Sequence, residues 1–204
     1  MSPFRYCPCC ATPLAMIVQE EDSGPRGRLR CPACDYTHWN NPVPVLAAII
    51  EYRGQVLLAR NAAWPSKMFA LITGFMEAGE TPQDGIVREI KEETQLDTRS
   101  LALVGVYDFQ RMNQVIIAFH AVCEGEVRLS PELADWRLYD PPQLKCWPAR
   151  TGYALADCLR PLGHEPVCFS PEQNAARRRG LDSPTLVRLI SPTKSPMPGV
   201  LARR

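Results

Sequence analysis

Long apolar runs separated by short polar breaks occupy the middle of the chain. Val43–Tyr52 is almost wholly apolar, and Gln55–Arg60 follows it after the dipeptide Arg53-Gly54. Runs of this length that are bounded by turn residues predict β-strands, and the short break between these two predicts a hairpin. Four further runs predict strands on the same grounds: Phe69–Thr73, Leu101–Phe109, Gln114–Cys123 and Trp136–Tyr139.

Two segments predict helices. The first begins with Thr81 and Pro82, residue types that are favoured at the N-cap and at the first helical position, and Ile86 and Ile90 give it an apolar side. The second covers about residues 151–159 and places its leucines on one face. The order of elements predicts an α/β fold in which a mixed sheet lies between these two helices.

The two ends of the chain have a different character from the middle. Residues 1–39 contain two pairs of cysteines, and the polar tripeptide 40–42 interrupts the chain after them. Residues 171–204 are rich in proline and arginine and show no sustained periodicity. We therefore predict an N-terminal module at 1–39, a main domain at 40–170 and a flexible basic tail at 171–204. The alternative for the tail is weak binding to polyanions or to an acidic cleft of the protein itself.

Charge is unevenly distributed along the 204 residues. The formal net charge is +1, but residues 171–204 contain seven basic and two acidic residues, so residues 1–170 carry a net charge of −4. This acidic balance argues against a nucleic-acid partner. The chain has no apolar run as long as a transmembrane helix and none of a signal peptide near Met1, and its nine cysteines favour a reducing compartment. We expect a cytoplasmic protein without a membrane partner.

Four cysteines have the spacing of a metal site. Cys7 and Cys10 form one C-x2-C knuckle, Cys31 and Cys34 form a second, and 20 residues separate the two. This spacing is typical of a zinc ribbon with four thiolate ligands, so we predict a structural Zn²⁺. The alternatives are two disulfides or a redox-active pair. Cys9 lies between two predicted ligands and is interpreted as a spare thiol.

A glutamate-rich segment carries the second chemical signal. In the first predicted helix, Glu89, Glu92 and Glu93 fall at i, i+3 and i+4 and therefore share one face. Three like charges on adjacent turns repel one another, so such a face is either well solvated or binds divalent cations. Gly74 and Gly79 predict a turn just before this helix. The combination of a glycine turn, an apolar side and an acidic face favours the metal site.

The whole segment resembles the signature of the Nudix hydrolase family. That signature reads Gly-x5-Glu-x7-Arg-Glu-U-x-Glu-Glu-x-Gly-U, where U is aliphatic, and this chain matches every defined position from Gly74 to Leu96 except one. Gln95 stands where the family has glycine. A non-glycine residue in the left-handed end of a helix should cost about 1 kcal/mol, but no metal ligand is lost. The resemblance implies an α/β/α sandwich with a mixed sheet.

The signature and the cysteine knuckles together resemble the Nudix subgroup with an N-terminal zinc ribbon, over roughly residues 4–165. This subgroup contains NADH pyrophosphatases and ADP-ribose or FAD pyrophosphatases. The resemblance implies Mg²⁺- or Mn²⁺-dependent hydrolysis of the diphosphate in a nucleoside diphosphate that is linked to another moiety. It makes Glu89 and Glu93 the leading metal ligands and Glu92 a further ligand. It also predicts an ion pair in which Arg88 orients the helix through Glu80.

A further carboxylate is predicted outside this segment. The sequence Glu132-Leu-Ala-Asp135-Trp-Arg is similar to the pattern Glu-x-x-Glu-x-Arg of the relatives. Glu132 is therefore a candidate general base or additional metal ligand, and a surface carboxylate is the alternative. Asp135 is one carbon shorter than the glutamate of the family pattern. The resemblance also predicts a metal-binding backbone carbonyl near Thr73 or Gly74.

The substrate is predicted from a missing motif. NADH pyrophosphatases carry Ser-Gln-Pro-Trp-Pro-Phe-Pro-x-Ser downstream of the signature, and residues 96–129 contain nothing like it. We therefore expect ADP-ribose or FAD as substrate, with release of AMP. The alternatives are an NADH or NAD pyrophosphatase, an NAD-cap decapping hydrolase, and a non-catalytic nucleotide-binding module. Arg60, Phe75 and Tyr107 are candidate substrate contacts, with roles in the core or on the surface as the alternative. A homodimer stays open.

Overall fold

The computed structural model describes residues 4–65, 68–148, 150–170 and 172–173. The chain divides into two compact units, and the boundary along the sequence falls between Pro42 and Val43. The sequence had predicted this boundary three residues earlier, between residues 39 and 40. Apart from residues 172 and 173, the predicted basic tail lies outside the described residues.

The first unit is built on a three-stranded antiparallel sheet. Its strands are β1 (Ala15–Glu21), β2 (Gly24–Arg30) and β3 (Thr37–His38), in the order β1-β2-β3. Glu21 at the end of β1 accepts hydrogen bonds from Arg28 and Arg30 of β2, each with a shortest distance of 2.7 Å. The apolar pattern predicted none of these strands, because Met16 and Val18 of β1 are exposed and no alternation marks a buried face.

The second unit contains a mixed six-stranded sheet. Its strand order is β7-β8-β4-β5-β9, and β6 also pairs with β4. β4 runs parallel to β8, and every other pair in this sheet is antiparallel. The strands are β4 (Val43–Tyr52), β5 (Gln55–Asn61), β6 (Ile72–Phe75), β7 (Asp97–Phe109), β8 (Gln114–Glu124) and β9 (Leu133–Tyr139).

Two α-helices, one short parallel strand pair and three 3-10 turns complete the second unit. The helices are α1 (Pro82–Thr94) and α2 (Thr151–Leu159). The strand pair is β10 (Lys145–Cys146) with β11 (Val167–Cys168), and the turns are Gln110–Met112, Pro141–Gln143 and Arg160–Leu162. None of the helices within the described ranges has the length and apolar character of a membrane span.

The predicted strand at residues 69–73 is displaced in the structure. β6 begins only at Ile72, and Ala70 forms an isolated bridge with Ala59. Phe69 and Leu71 are each 4% exposed. These apolar side chains therefore enter the core from an irregular segment. Residues 69–71 have the apolar composition of a strand, but apart from the bridge of Ala70 they lie outside regular strand pairing.

The central sheet carries a helix on each face, as predicted for an α/β/α sandwich. Alternate residues of a strand point to opposite faces. Leu46 of β4 packs in one core cluster with Ile86 and Ile90 of α1, whereas Ile49 packs in the other with Leu155 of α2. Ile86 and Ile90 are fully buried, and burying such a side chain contributes about 1.5–3 kcal/mol to stability. Two separate apolar clusters thus hold α1 and α2 to the sheet.

The ends of α1 follow their local sequence signals. Thr81 is the N-cap, and its Oγ1 accepts a hydrogen bond from the amide of Asp84 at 3.1 Å. Pro82 occupies the first turn, where its missing N–H leaves no hydrogen bond unmade. Gln95 is the C-cap in a left-handed conformation with φ 60° and ψ 9°. Both its backbone N–H and its side-chain amide donate to the carbonyl of Lys91, each at 2.9 Å.

Replacing Gln95 with glycine should stabilise the second unit. Glycine adopts a left-handed conformation without steric cost, and losing one exposed amide hydrogen bond offsets only part of this gain. We expect Gln95→Gly to raise the free energy of unfolding by about 0.5–1 kcal/mol. Urea unfolding followed by circular dichroism measures this change. Gln95→Ala is the matched control, because it loses the amide and keeps the strain, and a glycine variant less stable than the parent would contradict the explanation.

Candidate functional site

A glutamate packs directly against the backbone of β6. Gly74 lies within β6, in strand pairing with Leu46, and a Cβ atom at this position would overlap the carboxylate of Glu89. Gly74 is therefore required for close approach, and the predicted turn is formed by Gly79, which has φ +89°. Gly85 of α1 has a related role, because a Cβ atom there would lie 2.5 Å from both Glu80 Oε1 and Leu46 Cδ1. Neither contact was predicted from the sequence.

Arg88 binds three carboxylates and one backbone carbonyl. Its Nε and Nη2 donate to the two oxygens of Glu80 at 3.1 and 3.0 Å, and its Nη1 donates to Glu89 at 2.8 Å and to Glu92 at 3.0 Å. Nη2 also donates to the carbonyl of Phe75 at 3.2 Å. These hydrogen bonds hold the pKa of Glu80 below its ordinary value. The predicted ion pair between Arg88 and Glu80 is present. The hydrogen bond to the carbonyl of Phe75 connects α1 to the end of β6.

The predicted carboxylates face one open cavity of about 730 Å³. Four glutamates that the sequence selected lie in its wall, together with the exposed ring of Phe75. The wall also contains residues that the sequence analysis did not select as contacts, including Gln114, Ser130 and Glu77. Its lining consists of Val45, Thr73, Gly74, Phe75, Glu77, Arg88, Glu89, Glu92, Glu93, Gln114, Ser130, Pro131 and Glu132.

Glu132 reaches this cavity because its loop is attached to the end of α1. The last carbonyls of an α-helix have no partner within the helix. Here the amide of Arg128 donates to the carbonyl of Thr94 at 2.9 Å, and the amide of Ser130 donates to the carbonyl of Glu93 at 3.0 Å. The carbonyl of Glu132 itself accepts from the amide of Ala62 at 2.8 Å. Backbone hydrogen bonds on both sides therefore place Glu132 beside Glu93.

Burial, together with the crowding of carboxylates, raises the pKa values of two glutamates. Burial, followed by the negative charges of Glu89, Glu132 and Glu92, raises the pKa of Glu93 to about 7. Burial also raises the pKa of Glu89, and the adjacent Arg88 opposes this shift. A bound divalent cation would remove the repulsion among these groups, and carboxylate oxygens are the ligands that Mg²⁺ and Mn²⁺ prefer. The donor set and its electrostatics therefore fit such a cation.

Two predicted substrate contacts do not line the cavity. Tyr107 lies in the same row of the sheet as Phe75, with Ile116 and Val45 between them, which is about 14 Å at 4.8 Å per strand. Its hydroxyl donates to Oδ2 of Asp157 in α2 at 2.9 Å. Arg60 lies in β5 opposite Asp135 of β9, and its Nε is buried without a hydrogen-bond partner among the described residues. Contact of either residue with substrate stays a prediction.

The four predicted zinc ligands converge in the first unit. Their sulfur atoms all lie within 4.8 Å of one another. The separation is 3.5 Å for Cys7 and Cys34, 3.4 Å for Cys10 and Cys31, and 3.7 Å for Cys10 and Cys34. Four sulfurs around one zinc, at a bond length of about 2.3 Å, lie about 3.8 Å apart. The amide of Cys9 donates to Cys7 Sγ at 3.4 Å, and its own thiol is not part of the cluster.

The nine cysteines, all within the described ranges, are free thiols. The sulfur separations in the cluster are far longer than the bond of about 2.05 Å in a disulfide. The geometry therefore fits a tetrahedral metal site better than the alternatives of two disulfides or a redox-active pair.

Comparisons with known proteins agree with this geometry. The sequence model of the NUDIX domain matches residues 40–158. A protein named NAD-capped RNA hydrolase NudC from Pseudomonas putida is 27% identical over 186 residues, which cover 90% of this chain and 60% of that protein. Its namesake from Pseudomonas fluorescens is 28% identical over 170 residues, which cover 80% and 59%. The chain thus spans about three fifths of the length of these relatives.

A solved structure shows the same fold. The crystal structure of a NUDIX hydrolase from Nitrosomonas europaea matches 81% of this chain and 99% of its own, with a TM-score of 0.65 and 24% sequence identity. This likeness concerns the fold.

The raised pKa of Glu93 predicts how the Mg²⁺-free protein responds to pH. The folded state binds the Glu93 proton more tightly than the unfolded state, in which the carboxyl has its ordinary pKa of 4.5. The free energy of unfolding should therefore fall as pH rises from 4.5 to about 7. Urea unfolding of the parent and of Glu93→Gln across this range isolates the effect, because the amide does not titrate. Parallel pH profiles of the two proteins would contradict it, and added Mg²⁺ should stabilise the parent at pH 8.

Proposed function

Because this chain belongs to the NUDIX domain family, we propose that it hydrolyses the diphosphate of a nucleoside diphosphate linked to another moiety. The observation that carries the proposal is the convergence of Glu89, Glu92, Glu93 and Glu132 on one open cavity. Four carboxylates repel an anionic diphosphate unless a cation lies between them. A divalent cation in this place can bind the diphosphate and also activate water, so the cavity suits metal-dependent hydrolysis.

Mg²⁺ or Mn²⁺ is the proposed catalytic cofactor. Glu89, Glu92 and Glu93 would hold it, and the backbone carbonyl of Thr73 or Gly74 at the cavity wall would add an oxygen. When bound, the cation neutralises charge on the phosphate oxygens and helps to ionise the attacking water. Arg88 keeps Glu89 and Glu92 in place through its hydrogen bonds.

Glu132 is the proposed general base. It lies in the cavity wall, on a loop fixed by backbone hydrogen bonds of Ser130 and of Glu132 itself. Its negative charge contributes to the raised pKa of Glu93, so the two carboxylates are close. A carboxylate in this place can accept the proton of the attacking water or act as a further cation ligand.

Two substrate groups are the candidates. The missing downstream motif favours ADP-ribose or FAD, and the relatives named NAD-capped RNA hydrolase favour NADH, NAD or an NAD-capped RNA. Phe75 supports either group, because its ring is 59% exposed at the cavity and can stack on a flat heterocycle. The metal and the carboxylates act on the diphosphate common to all these compounds.

A substrate panel tests the proposal. Purified protein would be assayed with ADP-ribose, FAD, NADH and an NAD-capped RNA oligonucleotide, each with Mg²⁺ and with Mn²⁺. We expect metal-dependent cleavage with release of AMP from ADP-ribose or FAD, and kcat/KM for these above that for NADH. The reverse order of kcat/KM would favour NADH or NAD as the substrate.

Glu93→Gln should lower turnover by orders of magnitude in a folded protein, and Glu92→Gln by less. Turnover of Glu93→Gln within a few-fold of the parent would refute the metal-site assignment.

The cysteine cluster is proposed to hold a structural Zn²⁺. Cys7, Cys10, Cys31 and Cys34 supply four thiolates, the donor set of a closed zinc site. Among the described residues up to 42, the buried hydrophobic side chains are those of Cys7 and Cys31. The first unit therefore has almost no apolar core, and a metal would be its main source of stability.

Metal analysis tests this assignment. The purified protein should contain about one zinc per chain, and Cys31→Ser should lose it and unfold the first unit. Cys9→Ser is the matched control, because Cys9 lies next to the cluster without belonging to it, and its zinc content should equal that of the parent. A disulfide between Cys7 and Cys10 in freshly reduced protein would overturn the zinc site.

A further inference from the structure

The wall of the carboxylate cavity has two chemically different parts. The helix α1 and the loop before β9 contribute carboxylates, which suit a cation and a diphosphate. The central sheet contributes a mostly uncharged surface, formed by Val45, Thr73, Gly74, Phe75 and Gln114. Small-molecule sites combine such a surface with a few polar groups that fix the orientation of the ligand. The sheet side of the cavity therefore suits an uncharged end of the substrate.

Strand pairing places the side chains of Val45, Phe75 and Gln114 on one face of the sheet. Val45 of β4 lies opposite Phe75 of β6 and, on its other side, opposite Ile116 of β8. Gln114 precedes Ile116 by two residues, so its side chain points to the same face. Phe109, the antiparallel partner of Gln114, packs against the same apolar cluster as Val45. The side chain of Gln114 therefore borders the cavity on the same face as Val45 and Phe75.

Phe75 and Gln114 lie at the same end of the sheet. Phe75 is the last residue of β6, Gln114 is the first residue of β8, and β4 lies between these two strands. Their backbones are about 12 Å apart, at 4.8 Å per strand across the sheet and 3.3 Å per residue along it. Both side chains are long and extend from the same face. A flat ring that stacks on Phe75 above Val45 therefore turns its edge toward Gln114.

The side-chain amide of Gln114 is available to a ligand. Gln114 is half-buried, and its amide makes no hydrogen bond among the described residues. The described polar atoms that are enclosed without a partner belong to Arg30, Arg60 and Ser130, so the amide atoms of Gln114 are accessible from solvent. An amide of this kind can accept one hydrogen bond through its oxygen and donate another through its nitrogen.

We propose that Gln114 is a specificity residue that recognises the adenine ring of the substrate. The inference rests on the proposed diphosphate hydrolysis. A glutamine amide matches the edge of adenine, where the 6-amino group donates and the adjacent ring nitrogen accepts. Phe75 stacks on the ring, and Gln114 reads its edge. Adenine is common to every compound of the substrate panel, so this contact selects the base and leaves the choice of the second flanking group to other residues.

Gln114→Met tests the proposal, because methionine keeps the length of the side chain and removes both hydrogen bonds. The kcat/KM would be measured with Mg²⁺ on the best compound of the panel and on its counterpart with purine in place of adenine, which lacks the 6-amino group. The parent should prefer the adenine compound by about three- to tenfold, the effect of one neutral hydrogen bond. Gln114→Met should lose this preference, and its kcat/KM on the adenine compound should fall by roughly tenfold or more.

Two further variants complete the experiment. Gln114→Glu keeps the acceptor for the 6-amino group, so it should keep the preference for adenine while it loses the bond to the ring nitrogen. Gln143→Met is the matched control, because Gln143 is exposed outside the cavity lining and the variant should behave as the parent does. The thermal midpoints of all variants should equal that of the parent, since the Gln114 amide bonds to nothing in the described fold.

The preference for the 6-amino group decides the outcome. A parent without this preference would overturn the proposal. So would an equal fall of Gln114→Met on both compounds, because the amide would then contact a part of the substrate other than the base. A parent that cleaves no diphosphate of the panel would instead refute the proposed function, and this inference with it.

Discussion

The contact between the Glu89 carboxylate and the backbone of Gly74 is the constraint on which the site depends. No side chain larger than hydrogen fits at position 74 once Glu89 is in place, so the distance between α1 and β6 is fixed by this contact. Arg88, one residue earlier, then reaches Glu80 at the start of the helix and the carbonyl of Phe75 at the end of the strand. Moving α1 by one bond length would break both sets of contacts together.

A second connection joins distant parts of the chain at the other end of α1. The carbonyls of Glu93 and Thr94 would lack partners at a free helix end, and the amides of Ser130 and Arg128 supply them. The loop is thereby set in register with the helix, and Glu132 arrives next to Glu93. Helix-end hydrogen bonding, a requirement of every α-helix, has here the secondary effect of completing the group of carboxylates.

Structural features that depend on residues adjacent in the sequence could be predicted from the sequence. The limits of α1 could be read from Thr81 and Pro82, and the left-handed conformation of Gln95 followed from its place in the signature. The close approach at Gly74 could not be read, because a glycine in a strand and a glycine in a turn look alike in sequence. The distance from Tyr107 to the cavity depends on strand pairing, and Tyr107 proved to be bonded to Asp157. No sequence pattern indicated that Ser130 lies in the cavity wall.

The two units of the chain depend on different chemistry for their integrity. The second unit has two apolar clusters, and three of its cysteines, Cys123, Cys146 and Cys158, are buried, which protects them from reagents in water. Its fourth cysteine, Cys168, is exposed on β11, outside the lining of the carboxylate cavity. The first unit has four clustered thiols in place of a core, and Cys10 among them is exposed, as is the adjacent Cys9. Exposed thiolates are the groups that peroxides oxidise first. Oxidative stress would therefore damage the first unit under conditions that leave the carboxylate cavity of the second intact.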